Sequence, residues 1–398
     1  MIVEILPKLS VFLDRRQGNL HLHIKQVLMR IPSIEFDPDK YSQQLAKKVD
    51  WVVDLLAALN PPQATIFESP PIHFRMRAEF RIWHDKQTAV PHCFYAMFEK
   101  NNPKQPVRVN HYPIGSTRIT SLMQPLLEAI NASSNLCHKL FQLEFLSTTS
   151  DECLVSLIYH RQLDDEWYRA ALILEQTFNI HIIGRARKQR LVVSRDYVHE
   201  CLHINGKAFH YLQQENSFTQ PNAAINRQMI SWACNAIGAV QNRDLLELYC
   251  GNGNFTIPLA GYFRHVIATE IAKSSIKTAT KNCQLNHVDN IQFIRLSAEE
   301  TTAALNQERE FRRLEGMSLA DYDFSTVLVD PPRAGLDQAT LQLVAQFETI
   351  IYISCNPLTL KQNLETLSQS HNIEDFAIFD QFPYTEHCES GVILKKLA

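Results

Sequence analysis

The second half of the chain constrains the fold most, because short apolar runs there alternate with helix-patterned segments. Strand-like runs fall at 244–250, 265–270, 291–296, 325–330, 349–355 and 374–379. Helical patterns at 273–286, 338–347 and 358–368 separate most of them, a helix over 222–237 leads in, and a strand at 392–395 closes the chain. A charged helical insertion is expected over 298–319. Strands that alternate with helices predict a parallel, doubly wound sheet, which binds ligands at the carboxyl ends of its strands.

The first half reads differently. Residues 40–59 carry Leu45, Val49, Val52, Val53 and Leu56 at helical spacing, and Asn60-Pro61-Pro62 stops that helix. From Phe74 to Trp83 the pattern has period two. Phe74, Met76, Ala78, Phe80 and Ile82 share one face; Arg75, Arg77, Glu79 and Arg81 share the other. Further strand-like runs lie at 107–109, 140–146, 154–159, 181–184 and 191–193, with a helix over Asp165–Phe178. This half is expected to be α+β with a mostly antiparallel sheet. The whole is α/β, and 398 residues allow about two or three domains.

Nine cysteines without a C-x-x-C pair argue for reduced thiols and against zinc or iron–sulfur ligation. No apolar run reaches the roughly 18 residues that span a bilayer, and residues 1–28 lack the pattern of a signal peptide. A cytoplasmic protein without a membrane partner is expected. The net charge of -3 offers little attraction to nucleic acid, but Lys and Arg outnumber Asp and Glu slightly in the first 215 residues.

Chemistry concentrates at the ends of the second-half strands. Leu245 to Phe255 is a buried strand running into Cys250-Gly251-Asn252-Gly253-Asn254, where glycine lets the backbone approach a nucleotide. The next strand ends in Glu270, a carboxylate suited to both ribose hydroxyls. With no third glycine, adenosine without a pyrophosphate fits better than a dinucleotide, as in S-adenosylmethionine; a plain tight turn and surface glutamate is the bland alternative. Asp330-Pro331-Pro332-Arg333 leaves another strand end. A related motif with an aromatic after the prolines marks enzymes that methylate exocyclic amines; Arg333 suits a carbonyl oxygen or phosphate instead. Ser354-Cys355-Asn356-Pro357 ends an apolar strand in a thiol, and His387-Cys388-Glu389-Ser390-Gly391 follows. The remaining thiols read as packing, with Cys388 an alternative nucleophile to Cys355. One nucleophile, one carboxylate and a nucleotide-type pocket point to covalent group transfer onto an electron-poor ring. Arg75, Arg77 and Arg81, and the cluster Arg185, Arg187, Lys188 and Arg190, suit phosphate contact or a solvated face.

These motifs resemble the tRNA (uracil-5-)-methyltransferase family from about residue 38 to the end. The resemblance rests on Met76 to His84, Asp164-Asp165-Glu166-Trp167, Asn216 to Asn222, Leu246 to Phe255, Ala268-Thr269-Glu270, Val329 to Gly335, Ile353 to Pro357 and Phe382 to Glu389. It implies a Rossmann-like methyltransferase domain over 216–398, an α+β RNA-binding domain over 38–215 and an extension of unknown role over 1–37, where Met29 is an alternative start. It implies that Gln220, Tyr249, Asn254, Glu270 and Asp330 bind S-adenosyl-L-methionine, that Cys355 is the nucleophile and Glu389 the base, and that Phe218 lies near a flipped base. Glu79, Arg81, Phe141 and His160 become candidates for contact with the T arm of tRNA. The implied product is 5-methyluridine in the T loop, with tRNA-like domains of other RNAs as further partners. The iron–sulfur cysteine cluster of the ribosomal RNA relatives is missing, so no metal is expected, and a monomer is. Two rivals are an exocyclic-amine methyltransferase, disfavoured by Arg333 and the Cys355/Glu389 pair, and an idle RNA-binding module, disfavoured by the intact cofactor set.

Overall fold

A computed structural model describes residues 36–85, 92–99, 102–238, 240 and 242–397. The expected 1–37 extension, apart from Phe36 and Asp37, and the alternative start at Met29 lie outside the described residues. The strands of the first half are β1 (Thr65–Phe67), β2 (Arg77–Asp85), β3 (His92–Glu99), β4 (Asn102–Arg108), β5 (Leu140–Ser147), β6 (Cys153–Tyr159), β7 (His181–Ala186), β8 (Gln189–Val192), β9 (Tyr197–Ile204) and β10 (Lys207–Gln214). Those of the second half are β11 (Asp244–Leu248), β12 (Val266–Thr269), β13 (Ile291–Ile294), β14 (Phe324–Val329), β15 (Thr349–Ser354), β16 (His371–Phe379) and β17 (Glu389–Lys396). The helices are α1 (Tyr41–Leu56), α2 (Thr117–Asn131), α3 (Ser134–Cys137), α4 (Asp165–Phe178), α5 (Ala223–Ile237), α6 (Thr256–Leu259), α7 (Lys273–Leu285), α8 (Ala298–Leu305), α9 (Gln338–Val344) and α10 (Pro357–Leu367).

The second half forms an eight-stranded sheet in the order β1-β16-β17-β15-β14-β11-β12-β13. Strands β11 to β15 pair in parallel, and β17 runs antiparallel between β15 and β16. Every residue of β11, β12 and β15 is buried, as expected of strands covered on both faces. The alternation of strand and helix therefore gives the doubly wound, Rossmann-like sheet.

The first half forms a seven-stranded sheet in the order β4-β3-β2-β5-β6-β7-β8. It is antiparallel except where α4 crosses over to make β6 and β7 parallel. Ala78, Phe80 and Ile82 point inward from β2, as their period-two spacing requires. Helix α4 keeps its expected bounds because Asp164 accepts from the Trp167 N–H at one end and Asn179 takes a left-handed conformation at the other.

Two features depart from the sequence reading. The division at residue 215 is not a clean cut, because β1 pairs in parallel with β16 and α1 packs Val52 and Leu56 into the core of the second sheet. The expected helical insertion over 298–319 is α-helical only at α8, which a reciprocal Ser297/Glu300 capping box starts; single 3-10 turns follow at Arg312–Leu314 and Leu319–Asp321. Beyond it Phe311, Leu314, Met317 and Leu319 still pack on the core of the second sheet, but Gly316 at φ +82° interrupts a continuous helix.

Candidate active site

Parallel connectivity brings four strand ends to one edge of the sheet. Tyr249 follows β11, Glu270 follows β12, Asp330 follows β14 and Cys355 follows β15. Because β17 runs the other way, its first residue, Glu389, lies at that same edge. The antiparallel register pairs Ser354 with Ser390, so Cys355 and Glu389 are the next pair along.

Cys355 immediately precedes α10. Asn356 caps that helix by accepting from the Leu358 N–H, and Pro357 occupies its first turn. A helix N-terminus lowers a thiol pKa, but here burial wins and pushes Cys355 up to about 11. Glu389 and Asp330 push the same way, and the Arg333 guanidinium opposes them. The Arg333 backbone oxygen accepts from the Asn356 amide at 2.9 Å and the Thr359 hydroxyl at 3.2 Å, so the Pro331-Pro332 exit is tied to the start of α10. Cys388, the alternative nucleophile, is 1% exposed. Burial pushes its thiol up to about 12.

Glu389 is 4% exposed and its Oε2 has no hydrogen-bond partner among the described residues. Burial raises its pKa well above the carboxylate range, and Asp330 adds to the rise. Asp330 itself is raised by burial to about 7. Two carboxyl groups this close, in this little water, favour holding a proton over carrying two charges.

On the other side of Asp330 lies a cleft lined by Gln220, Tyr249, Gly251, Asn254, Phe255 and Asp330, among others. Tyr249 adopts φ +63°, an uncommon conformation for a side chain of its size, and Gly251 follows at +56°. A Cβ added at Gly251 would meet nothing within 4 Å, so the turn leaves open space above its backbone. The Glu270 carboxylate accepts from Gly251 N–H at 3.2 Å and from Ala272 N–H at 2.7 Å, which aims it beside the turn. Glu247, in the middle of β11, also lines the cleft. Burial raises its pKa to about 8, and its Oε2 has no hydrogen-bond partner among the described residues. An orphaned buried carboxyl and an uncovered glycine backbone in one cleft fit a ligand with a cationic amine and a nucleoside.

Asn254 and Gln220 also line the cleft, with partners the sequence did not reveal. Asn254 exchanges two side-chain hydrogen bonds with Asn226, at 2.8 and 2.9 Å. Gln220 accepts from the Gln381 amide at 2.6 Å. Phe218 is 75% exposed on the cleft lining. Glu247 had a signal, since it interrupts the apolar run Leu245-Leu246-Glu247-Leu248; Asn226 and Gln381 had none.

The basic clusters divide. Arg75 donates to the Arg77 backbone oxygen, and Arg77 donates to the backbone oxygens of Glu215 and Ser217. Arg185 and Arg190 both grip Glu215, which is 3% exposed. Phosphate contact or a solvated face was expected for these cations; Arg77, Arg185 and Arg190 instead hold the segment that leads to Phe218 and Gln220, because a buried carboxylate and turning backbone need donors. Arg81 is different: its guanidinium lies 3.5 Å from the Phe141 ring centroid, and Phe141 stacks on His160 at 4.0 Å.

The sheet, its glycine turn and its strand-end carboxylates define a Rossmann-like methyltransferase fold. The crystal structure of Pyrococcus abyssi tRNA (uracil-54, C5)-methyltransferase in complex with S-adenosyl-L-homocysteine has this fold. It aligns with a TM-score of 0.67 at 21% identity, covering 89% of this chain and 83% of that one. The model of the tRNA (Uracil-5-)-methyltransferase family matches residues 40–397, and the chain belongs to that family. It is 52% identical to the tRNA/tmRNA (uracil-C(5))-methyltransferase of Acinetobacter baylyi over 360 residues, 89% of this chain and 98% of that protein. The Vibrio parahaemolyticus protein of the same description is 49% identical over 373 residues, 92% of this chain and 100% of that one.

Proposed function

We propose that this chain methylates C5 of a T-loop uridine in tRNA, with S-adenosyl-L-methionine as methyl donor, Cys355 as covalent nucleophile and Glu389 as base. The supporting observation is the strand-end pairing of a groove-facing thiol with a buried carboxyl group, next to a cleft fit for the cofactor. Glu270 would hold the ribose, and Glu247 and Asp330 are the carboxyl groups available to the amino-acid end. When bound, the cofactor supplies an electrophilic methyl carbon.

Uracil C5 is a poor nucleophile. Attack of the Cys355 thiolate on C6 forms an S–C6 bond and moves the ring electrons toward O4, leaving C5 nucleophilic; covalent catalysis splits one hard step into two. Arg333, whose charge acts on Cys355, would be the donor for the O4 charge. After methylation Glu389 removes the C5 proton, the S–C6 bond breaks and the thiolate is restored. Once ionised, a carboxylate whose pKa is raised is a stronger acceptor than a solvated one, so Glu389 enters this step deprotonated. The target base must leave its stack, which costs a few kcal/mol that loop contacts must offset.

The seven-stranded sheet would hold the T arm. The Arg81–Phe141–His160 stack gives bases a flat platform and a charge for phosphate; Glu79 lies on the same strand face. tRNA-like domains of other RNAs would fit the same surface. The test is to incubate the enzyme with tritium-labelled S-adenosylmethionine and bulk unmodified tRNA, then digest and identify the nucleoside. Label in 5-methyluridine supports the reading; label in a base methylated on an exocyclic amine contradicts it.

A further inference from the structure

The chemistry above leaves α1 without a role, yet this helix walls the groove onto which Cys355 opens. The groove has a volume of about 1060 Å³. Lys40, Gln44, Lys47 and Trp51 recur at three- and four-residue steps, so they share one stripe of the helix, and all four line the groove. Arg333, Leu358 and His387 line it as well. Trp51 is 42% exposed and Leu358 53%, although both are residue types that folding normally covers when it can. The opposite face of α1 is fixed. Val52 and Leu56 are fully buried there, and Lys48, which borders the groove, is buried with its ammonium 2.7 Å from Asp380 and donates to the Phe382 backbone oxygen at 2.8 Å. Gln44 bonds both ways with the backbone of Tyr384 and Thr385. The stripe is therefore held rigidly against the loop that ends in Glu389.

Among the described residues, the acidic groups facing the groove are Asp37, 3.1 Å from Lys40, and Glu386. Asp50 and Asp54 of α1 are not among the lining residues. Beyond Lys40 and the buried Lys48, the basic side chains facing the groove are Lys47 and Arg333.

We propose that the Lys47–Trp51 stripe is an RNA contact distinct from the sheet surface. Trp51 stacks on a base beside the target nucleotide, and Lys47 meets a phosphate of the same strand. The proposal rests on the reading of the chain as an RNA methyltransferase. It follows from access: a nucleotide that reaches the thiol comes through this groove, and the strand that carries it passes α1. An exposed aromatic with a cation one helical turn away is the arrangement by which single strands are held.

The experiment measures binding of an unmodified tRNA transcript to the full chain at several salt concentrations, beside calorimetry with S-adenosylmethionine. Trp51→Ala should weaken RNA binding about tenfold, the effect of losing one stacked base. Trp51→Phe should restore most of it. Lys47→Ala should lower the salt slope by about one phosphate contact. Cofactor affinity should stay unchanged in all three, which separates a lost contact from a damaged fold. If the wild type binds RNA and Trp51→Ala and Lys47→Ala bind it equally well with the same slope, this contact is overturned alone. A wild type that binds no tRNA overturns the functional reading and this contact together.

Discussion

The two sheets use different parts of their strands. The eight-stranded sheet places its reactive groups at strand ends, where parallel strands bring Tyr249, Glu270, Asp330 and Cys355 together and the antiparallel β17 adds Glu389. The seven-stranded sheet offers a strand face, where Arg81, Phe141 and His160 come together from β2, β5 and the residue after β6. Groups at a strand end need sub-ångström placement and are fixed by the sheet's own hydrogen bonds. Groups on a face work as an area, and losing one leaves the others. The first region should therefore answer mutation by all-or-none losses, and the second by graded ones.

Cys355→Ala sets the upper limit. It should abolish methylation and any covalent RNA adduct, whereas Cys388→Ala should keep turnover. Turnover by Cys355→Ala in a labelled-methyl assay would move the nucleophile elsewhere. Next comes the brace behind the site: Lys48→Met leaves the Asp380 carboxylate buried without its partner, a loss of about 3–5 kcal/mol in denaturant unfolding. An unchanged unfolding midpoint would show that the ion pair does not hold the loop.

Glu270→Ala should weaken cofactor binding by roughly 10- to 100-fold, since hydrogen bonds to a charged group are worth about 1.5–3 kcal/mol, with RNA affinity unchanged. Calorimetry decides it. On the strand face, Arg81→Ala should weaken RNA binding a fewfold and flatten its salt slope. Arg77→Ala should leave the slope alone and raise the KM for the cofactor, because Arg77 holds the backbone at Glu215 and Ser217. A flattened slope with Arg77→Ala would return that residue to the RNA face.

The smallest effect is on stability. The Asp330 and Glu389 pKa values are raised, Asp330 to about 7. Folding is thus favoured while they are protonated, and that stability is lost as pH rises past the ordinary carboxylate range and through the raised values. Glu389→Gln removes one of the two carboxyl groups. It should unfold at a higher temperature than the wild type at pH 8.5 and at nearly the same temperature at pH 4.

What the sequence made legible follows the same division. Leu245 to Phe255, Asp330 to Arg333 and Ile353 to Pro357 are contiguous stretches in which strand, turn and reactive residue lie together, so motif and site coincide. The faces were harder. Arg75, Arg77 and Arg81 look alike on one strand, and only packing shows that Arg77 turns inward to Ser217 while Arg81 lies over Phe141. The pairing of β1 with β16 and the brace from Lys48 to Asp380 join residues more than 300 apart in sequence, beyond the reach of local spacing. One local signal was legible yet missed: Asn205-Gly206, both at positive φ, is the turn of the β9–β10 hairpin.

The central claim is that Cys355 and Glu389 act in sequence on one ring, the first before methylation and the second after it. Glu389→Gln separates them, because an amide cannot accept the C5 proton at neutral pH. A denaturing gel run after incubation with tRNA and a labelled methyl donor should show a stable conjugate that carries both RNA and label. The same gel should show none for Cys355→Ala or for the double variant. Normal turnover by Glu389→Gln with no trapped conjugate would contradict the account and pass the role of base to another group, with His387 the first to test.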